Sequence, residues 1–336
     1  MPDFYVDHFV IAGDLDHFIE GLRQLASQGG GNLEGNTQFI RRGGNAANTA
    51  SALHSLGMDP VLIATTDEYG AKILSSLAHE DLDLSHIHDD GRLSSTVSIE
   101  ANHENRRVNL MVSDSGSAAD FSFEDLVDED IQALKESSLV ALLSLNHSKD
   151  APGFAHSLFS FIRESSSAKC FMDVGDPSCN PAIVAPLVKR VLSEGLVDIL
   201  SINENEAGWF ASALDPSNEK WQDIVSNPEQ WLDAGRLISN ETGVRVDLHT
   251  PLFAASIQKD EITRVPVFDV VCHVVCGAGD AWNAGTIYGT LAGMDDFSRV
   301  LLANALAALY VSSPTASHPS RQQIIEFLTS NSLLPT

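Results

Sequence analysis

The chain has 336 residues, 43% hydrophobic and 20% charged, which excludes intrinsic disorder and leaves ample apolar material for a large core. Its formal net charge of −26 excludes a general binder of phosphate backbones, because nucleic-acid affinity rests on clustered Lys and Arg and no such run occurs. No apolar stretch approaches the roughly 18 residues of a membrane-spanning helix, residues 1–13 carry Asp3 and Asp7 where a leader would be basic, and the four cysteines form no Cys-x-x-Cys pair, so a cytoplasmic protein with reduced thiols is expected.

In chain order, a short apolar run at 8–12 predicts a first buried strand. Residues 27–42 are Gly- and Asn-rich. A helix is expected over 46–56, a strand over 61–64 and a helix over 71–77. Residues 94–111 alternate apolar with polar, as exposed antiparallel strands do; with 27–42 they are read as a small β lid. Strands are then expected at 138–143, 170–174, 197–202 and 244–248, interleaved with helices at 155–163, 183–192 and 231–238. The Trp-bearing stretch 214–231 reads as a surface insertion. Strand and helix alternate, which implies a doubly wound, mostly parallel α/β sheet flanked by helices, here taken as a single domain over 1–336.

Three segments carry chemistry. Gly277, Ala278, Gly279 and Asp280 follow an apolar run and open a stretch, 281–291, that suits a helix. A glycine turn feeding a helix presents unpaired N–H groups at the positive end of the helix dipole, which is an anion site with the Asp280 carboxylate beside it. A plain strand-to-helix corner capped by Asp280 reads equally well from this segment alone. Gly43 and Gly44 precede a helix of small residues in which Asn48 offers an amide to sugar hydroxyls. Asn203 and Glu206, three apart after the 197–202 strand, share a face where α/β sheets bind ligands; a capped helix with an acidic first turn is the bland version.

In this order and spacing, the three elements resemble the ribokinase, or PfkB, family of carbohydrate kinases, over nearly the whole chain. The resemblance implies a ribokinase-like fold and a kinase moving a phosphoryl group from a nucleotide, ATP foremost, to a sugar alcohol. Asp280 would be the general base, and the N–H groups of Ala278, Gly279 and Asp280 the anion hole. It further implies substrate contacts at Gly43, Gly44, Asn48, Arg106, Arg107 and an early acid, Asp14 or Asp16 with Asp16 preferred, nucleotide contacts at Asn203, His249 and Asn304, and Mg²⁺ held indirectly by Glu206 and Asp173. A nucleoside, or a sugar phosphate such as ribose 1-phosphate with ATP or ADP as donor, is the alternative acceptor, and a non-catalytic sugar-binding protein the alternative class.

The chain departs from the family where Val274, Val275 and Cys276 replace an Asp-Thr-Thr, and where Asp247 to Leu252 lacks a Thr-x-Gly-x-x-Gly turn. A dinucleotide-binding oxidoreductase is disfavoured, since no Gly-x-Gly-x-x-Gly follows the first strand. No zinc is expected, the 12 histidines containing no His-Glu-x-x-His pair. An exposed lid edge suggests a homodimer paired through the lid.

Overall fold

Runs such as Leu139–Leu143, apolar at every position, must be covered on both faces, and the architecture follows from that demand. The computed structural model describes residues 1–104 and 106–330, and the side chains of Arg106 and Arg107 lie outside what it describes. Its elements in order are β1 (Tyr5–Asp14), α1 (Leu15–Ser27), β2 (Thr37–Gly43), α2 (Asn45–Ser55), β3 (Ala64–Thr65), α3 (Glu68–Leu77), β4 (Ile87–His88), β5 (Ser95–His103) and β6 (Arg106–Asp114). There follow α4 (Asp128–Glu136), β7 (Leu139–Leu143), α5 (Ala151–Ser165), β8 (Lys169–Asp173), α6 (Val184–Leu187, continued by a π turn at Val188–Leu192), β9 (Ile199–Asn203) and α7 (Glu204–Leu214). The last are α8 (Trp231–Thr242), β10 (Arg245–His249), β11 (Phe253–Gln258), β12 (Glu261–Pro266), α9 (Ala278–Leu291), α10 (Asp296–Val311) and α11 (Arg321–Ser330).

The main sheet has the order β12-β11-β10-β9-β8-β7. β7 to β10 run parallel, while β11 and β12 add antiparallel strands at one edge. Register aligns the carboxyl ends: Leu143 pairs with Asp173, Asp173 with Ser201 and Asn203 with His249. One rim of the sheet therefore collects Asp173, Asn203 and His249, where open α/β sheets bind ligands. Beneath it Phe159, Phe171 and Phe210 are fully buried, each contributing about 1.5–3 kcal/mol of apolar transfer.

A second sheet, β2-β1-β5-β6, forms the lid. It contains the two expected segments in part, since 28–36 are not strand. It also contains β1, which corrects the expectation that 8–12 belongs to the parallel sheet: β1 pairs antiparallel with β2 and parallel with β5. The physical reason is visible in its burial, because only Tyr5, Val6 and Phe9 are buried while the strand's far end is exposed. The expected strand at 61–64 shrinks to a two-residue pairing of β3 with β4. The segment 214–231 is not a loose insertion: short 3-10 turns carry it, and Trp221 and Trp231 are buried, the latter donating its indole N–H to Ile224 O at 2.7 Å.

Candidate active site

Gly277 adopts a left-handed conformation, φ 89°, that starts α9; a Cβ there would collide with the Tyr310 hydroxyl. Tyr310 donates that hydroxyl to Cys276 O at 3.0 Å, which pins the turn against α10. The Ala278 N–H is taken by Val275 O at 3.2 Å, so the anion hole implied by resemblance narrows to the N–H groups of Gly279 and Asp280, which have no partner among the described residues. The dipole of the 14-residue α9 stands behind them.

Asp280 is buried, only 6% exposed, and Asn48 Nδ2 donates to its Oδ2 at 2.9 Å. Arg42 Nε in turn donates to Asn48 Oδ1 at 3.4 Å, which fixes the amide's orientation. Small residues explain the closeness: α2 is buried continuously from Ala46 to Leu53, so its backbone lies against α9, with Thr49 Oγ1 donating to Asp280 O at 3.4 Å. Burial pushes the Asp280 carboxyl well above its ordinary range, opposed by the Asn48 hydrogen bond.

Both sheets and α9 enclose a cavity of about 930 Å³. Of the residues expected at a site, it is lined by Gly44, Asn48, Asp173, Asn203, Glu206, His249, Gly277, Ala278, Gly279, Asp280 and Asn304. Asp16 is not among them: it is exposed in the first turn of α1, and neighbouring Asp14 caps that helix. Gly43 stands behind the wall, where any Cβ would strike the Asp7 carboxylate, so it makes room for that group. Arg106 and Arg107 fall on side chains outside the described set.

Sequence reasoning missed Asp3, Asp7, Tyr5, His147, Thr96 and Ser113, all in the cavity wall. Asp3 accepts the N–H groups of Asn45 and Ala46 at 2.9 and 2.8 Å, capping α2. Asp7 is pushed up to about 7 by burial and by Asp3, with Thr96 opposing. An acid, next to His8, inside the otherwise apolar stretch 4–12 was the available signal.

Other candidates serve the frame first. Asn203 and Glu206 form a full capping box: Glu206 N–H reaches Asn203 Oδ1, Asn203 N–H reaches Glu206 Oε2 and Asn203 Nδ2 reaches Glu206 Oε1, each at 2.9 Å. Burial, then Asp173, raises Glu206 well above the usual carboxylate range. Asp173 is raised by burial although it accepts Asn283 Nδ2 at 2.6 Å and Gly175 N–H at 2.8 Å. Asn304 spends both ends of its amide inside the protein, on Trp282 Nε1 at 2.9 Å and Pro266 O at 3.0 Å. Cys276 is pushed up to about 12 by burial and stays a thiol.

Among the described residues no helix is long and apolar enough to cross a membrane, and no group of three or more His, Cys, Asp or Glu is arranged to hold a metal directly. Comparison with curated protein sequences returns no match. Solved structures similar in fold include a ribokinase from Arabidopsis thaliana complexed with ribose and ATP, 17% identical, covering 97% of this chain and 96% of that one with a TM-score of 0.74. A ribokinase from Thermotoga maritima is 16% identical, with 98% and 97% covered and a TM-score of 0.69. A nucleoside kinase from Burkholderia thailandensis in complex with inosine is 15% identical, with 98% and 96% covered and a TM-score of 0.67. These likenesses establish the ribokinase-like α/β fold. The sequence model of the pfkB family carbohydrate kinase matches residues 10–323, and the chain therefore belongs to that family of phosphotransferases.

Proposed function

We propose that the cavity takes a nucleotide, ATP first and ADP second, beside an uncharged sugar or nucleoside, and that Asp280 removes the proton of the acceptor hydroxyl while the Gly279 and Asp280 N–H groups steady the transferring phosphoryl. The observation that carries this reading is the pairing of two free N–H groups with a buried carboxylate at one helix start, open to one cavity. The raised Asp280 carboxyl is a stronger base than a solvated one once ionised, which suits proton abstraction from an alcohol.

The described lining holds Asp3, Asp7, Asp173, Asp176, Glu204, Glu206 and Asp280 and neither Lys nor Arg. Such a wall repels a sugar phosphate and favours a neutral acceptor. A nucleoside is the second reading, supported by Tyr5 and His147, whose rings lie 5.7 Å apart on the acceptor side and offer an apolar shelf for a base. The nucleoside kinase and the Arabidopsis ribokinase among the similar folds bind ligands of these two kinds.

Magnesium fits the same end of the cavity. Glu206 and Asp173 have their oxygens engaged within the protein, which leaves them suited to holding the ion through water, and the burial that raises both, with like charge adding to it from Asp173 on Glu206 and from Asp3 on Asp173, is what a divalent cation offsets. Bound there, Mg²⁺ would supply charge neutralisation for the nucleotide phosphates.

The purified protein should consume ATP only when a sugar or nucleoside is present, in a screen of acceptors against ATP and ADP. Ligand binding without any nucleotide turnover would instead identify a non-catalytic sugar-binding protein.

A further inference from the structure

Few polar contacts tie α9 to its neighbours, and each points in a different direction. Asp280 meets Asn48 and Thr49 of α2, Trp282 meets Asn304 of α10, and among the described residues Asn283 alone hydrogen-bonds the parallel sheet. Asn283 follows Asp280 by three positions, so the two side chains leave neighbouring points on one face of the helix. It is fully buried and does not line the cavity. Whatever it does for the site, it does through other residues.

Its amide spans two adjacent strand ends. Asp173 of β8 and Ser201 of β9 are paired in register, and Asn283 takes one with each end of its amide: Nδ2 donates to Asp173 Oδ2 and Ser201 Oγ donates to Oδ1, both at 2.6 Å. An ionised carboxylate only accepts, so the amide must turn its nitrogen to Asp173 and its oxygen to Ser201. The Gly175 N–H holds the other Asp173 oxygen at 2.8 Å. Ser201 and Asn283 are 0% exposed and Asp173 5%, so these bonds are shielded from solvent and specify one arrangement. A leucine of the same branched shape would pack there; a buried amide with both ends used fixes how the helix is seated.

We infer that Asn283 is a positioning residue for phosphoryl transfer: by clamping the first turns of α9 to the paired ends of β8 and β9, it sets the separation between the Asp280 carboxylate with its free N–H groups and the sheet rim at Asp173. The inference rests on the proposed function, in which the acceptor hydroxyl is held at Asp280 and the nucleotide phosphates lie toward Asp173 and Glu206. In-line transfer needs the two at a fixed separation, and a misplacement of about 1 Å can cost about 10²-fold in rate. Because Asn283 stands behind the cavity wall, it governs where the reacting groups lie without adding to the binding of either substrate.

Steady-state kinetics of Asn283→Leu, Ser201→Ala and Ser201→Thr test this, with kcat and the KM of each substrate measured beside the melting temperature. Asn283→Leu loses both hydrogen bonds and keeps the branched shape; its kcat should fall by about 10–100-fold while both KM values stay within about twofold. Ser201→Ala unlocks the amide and should lower kcat in the same sense by about threefold to tenfold. Ser201→Thr, which keeps the hydroxyl, should recover most of that loss even where its added methyl lowers the melting temperature. Ser201→Ala combined with Asn283→Leu should be no slower than Asn283→Leu alone, since both act through one contact. A role in packing alone would make kcat follow melting temperature across the set, with Ser201→Thr as slow as Ser201→Ala; that outcome, or an unchanged kcat in Asn283→Leu, overturns the inference. Should Asn283→Leu fail to fold, the two serine variants decide it by the same comparison. If the wild-type protein transfers no phosphoryl group to any acceptor, the proposed function fails separately, and hydrogen–deuterium exchange still decides the clamp: residues 278–284 should exchange faster in Asn283→Leu with α10 unchanged, and equal exchange at 278–284 overturns it.

Discussion

Asp280 places opposing demands on this protein. Its folded-state carboxyl titrates well above the ordinary 3.8, so the stabilisation contributed by its protonated form is present below that value and is lost as pH rises through the raised one. Above that raised value the buried charge is a liability, and there Asp280→Asn should melt higher than wild type, by about 2–4 °C for each kcal/mol of relief, in differential scanning calorimetry. Activity has the opposite sign: kcat/KM should climb with pH through the same raised value, because only the ionised form accepts a proton. Asp7, pushed up to about 7, gives a second handle. Acceptor KM should fall as pH rises through about 7, and Asp7→Asn should flatten that dependence. Asp280 and Asn48 were legible in the sequence because a polar residue among glycines or alanines stands out. Asp7 was not, because its run looked like an ordinary core strand, and Asp16 was favoured on position alone although it faces solvent. The amide ends of Asn304 were invisible too, since their partners Trp282 and Pro266 lie 22 and 38 residues away.

At the scale of elements, the site depends on how α9 and α10 are seated. Gly277 must hold a left-handed φ of 89° with the Tyr310 hydroxyl against it, so Gly277→Ala should lower stability by at least about 1–2 kcal/mol and slow turnover further by tilting the first turn of α9; urea melts and kcat read the two effects. Arg299 of α10 is 1% exposed and makes a two-pronged pair with the fully buried Asp247 of β10, with Ser256 also accepting at 2.8 Å. Removing one partner strands a charge in the core. Asp247→Ala should therefore destabilise by about 3–5 kcal/mol, while the paired replacement Asp247→Leu with Arg299→Met should recover much of it. The parallel strands β7 to β10 were readable, within a residue or two, from short and mostly apolar runs recurring between helical stretches. β1 was misassigned because a half-buried lid strand and a buried one share the same β-branched vocabulary, and only pairing distinguishes them.

For the whole molecule, seven acids and no Lys or Arg in the described wall of a 930 Å³ cavity determine what can enter. A polyphosphate needs a divalent ion as escort, so chelation with EDTA should abolish turnover and MgCl₂ should restore it, with the acceptor still binding in between. We propose that residues 1–336 act as one unit beneath the four-stranded lid, whose exposed Met111 and Val112 suit pairing with a second copy. The kinase class was legible because three motifs stand in order along the chain; the acid-rich wall was not, since it gathers residues from 3 to 280 that no linear pattern connects. The most direct measurement is kcat for Asp280→Asn at saturating ATP and acceptor, beside its ATP affinity. A fall of about 10²–10⁴-fold with affinity intact is the predicted result; a rate within a few-fold of wild type would contradict Asp280 as the base.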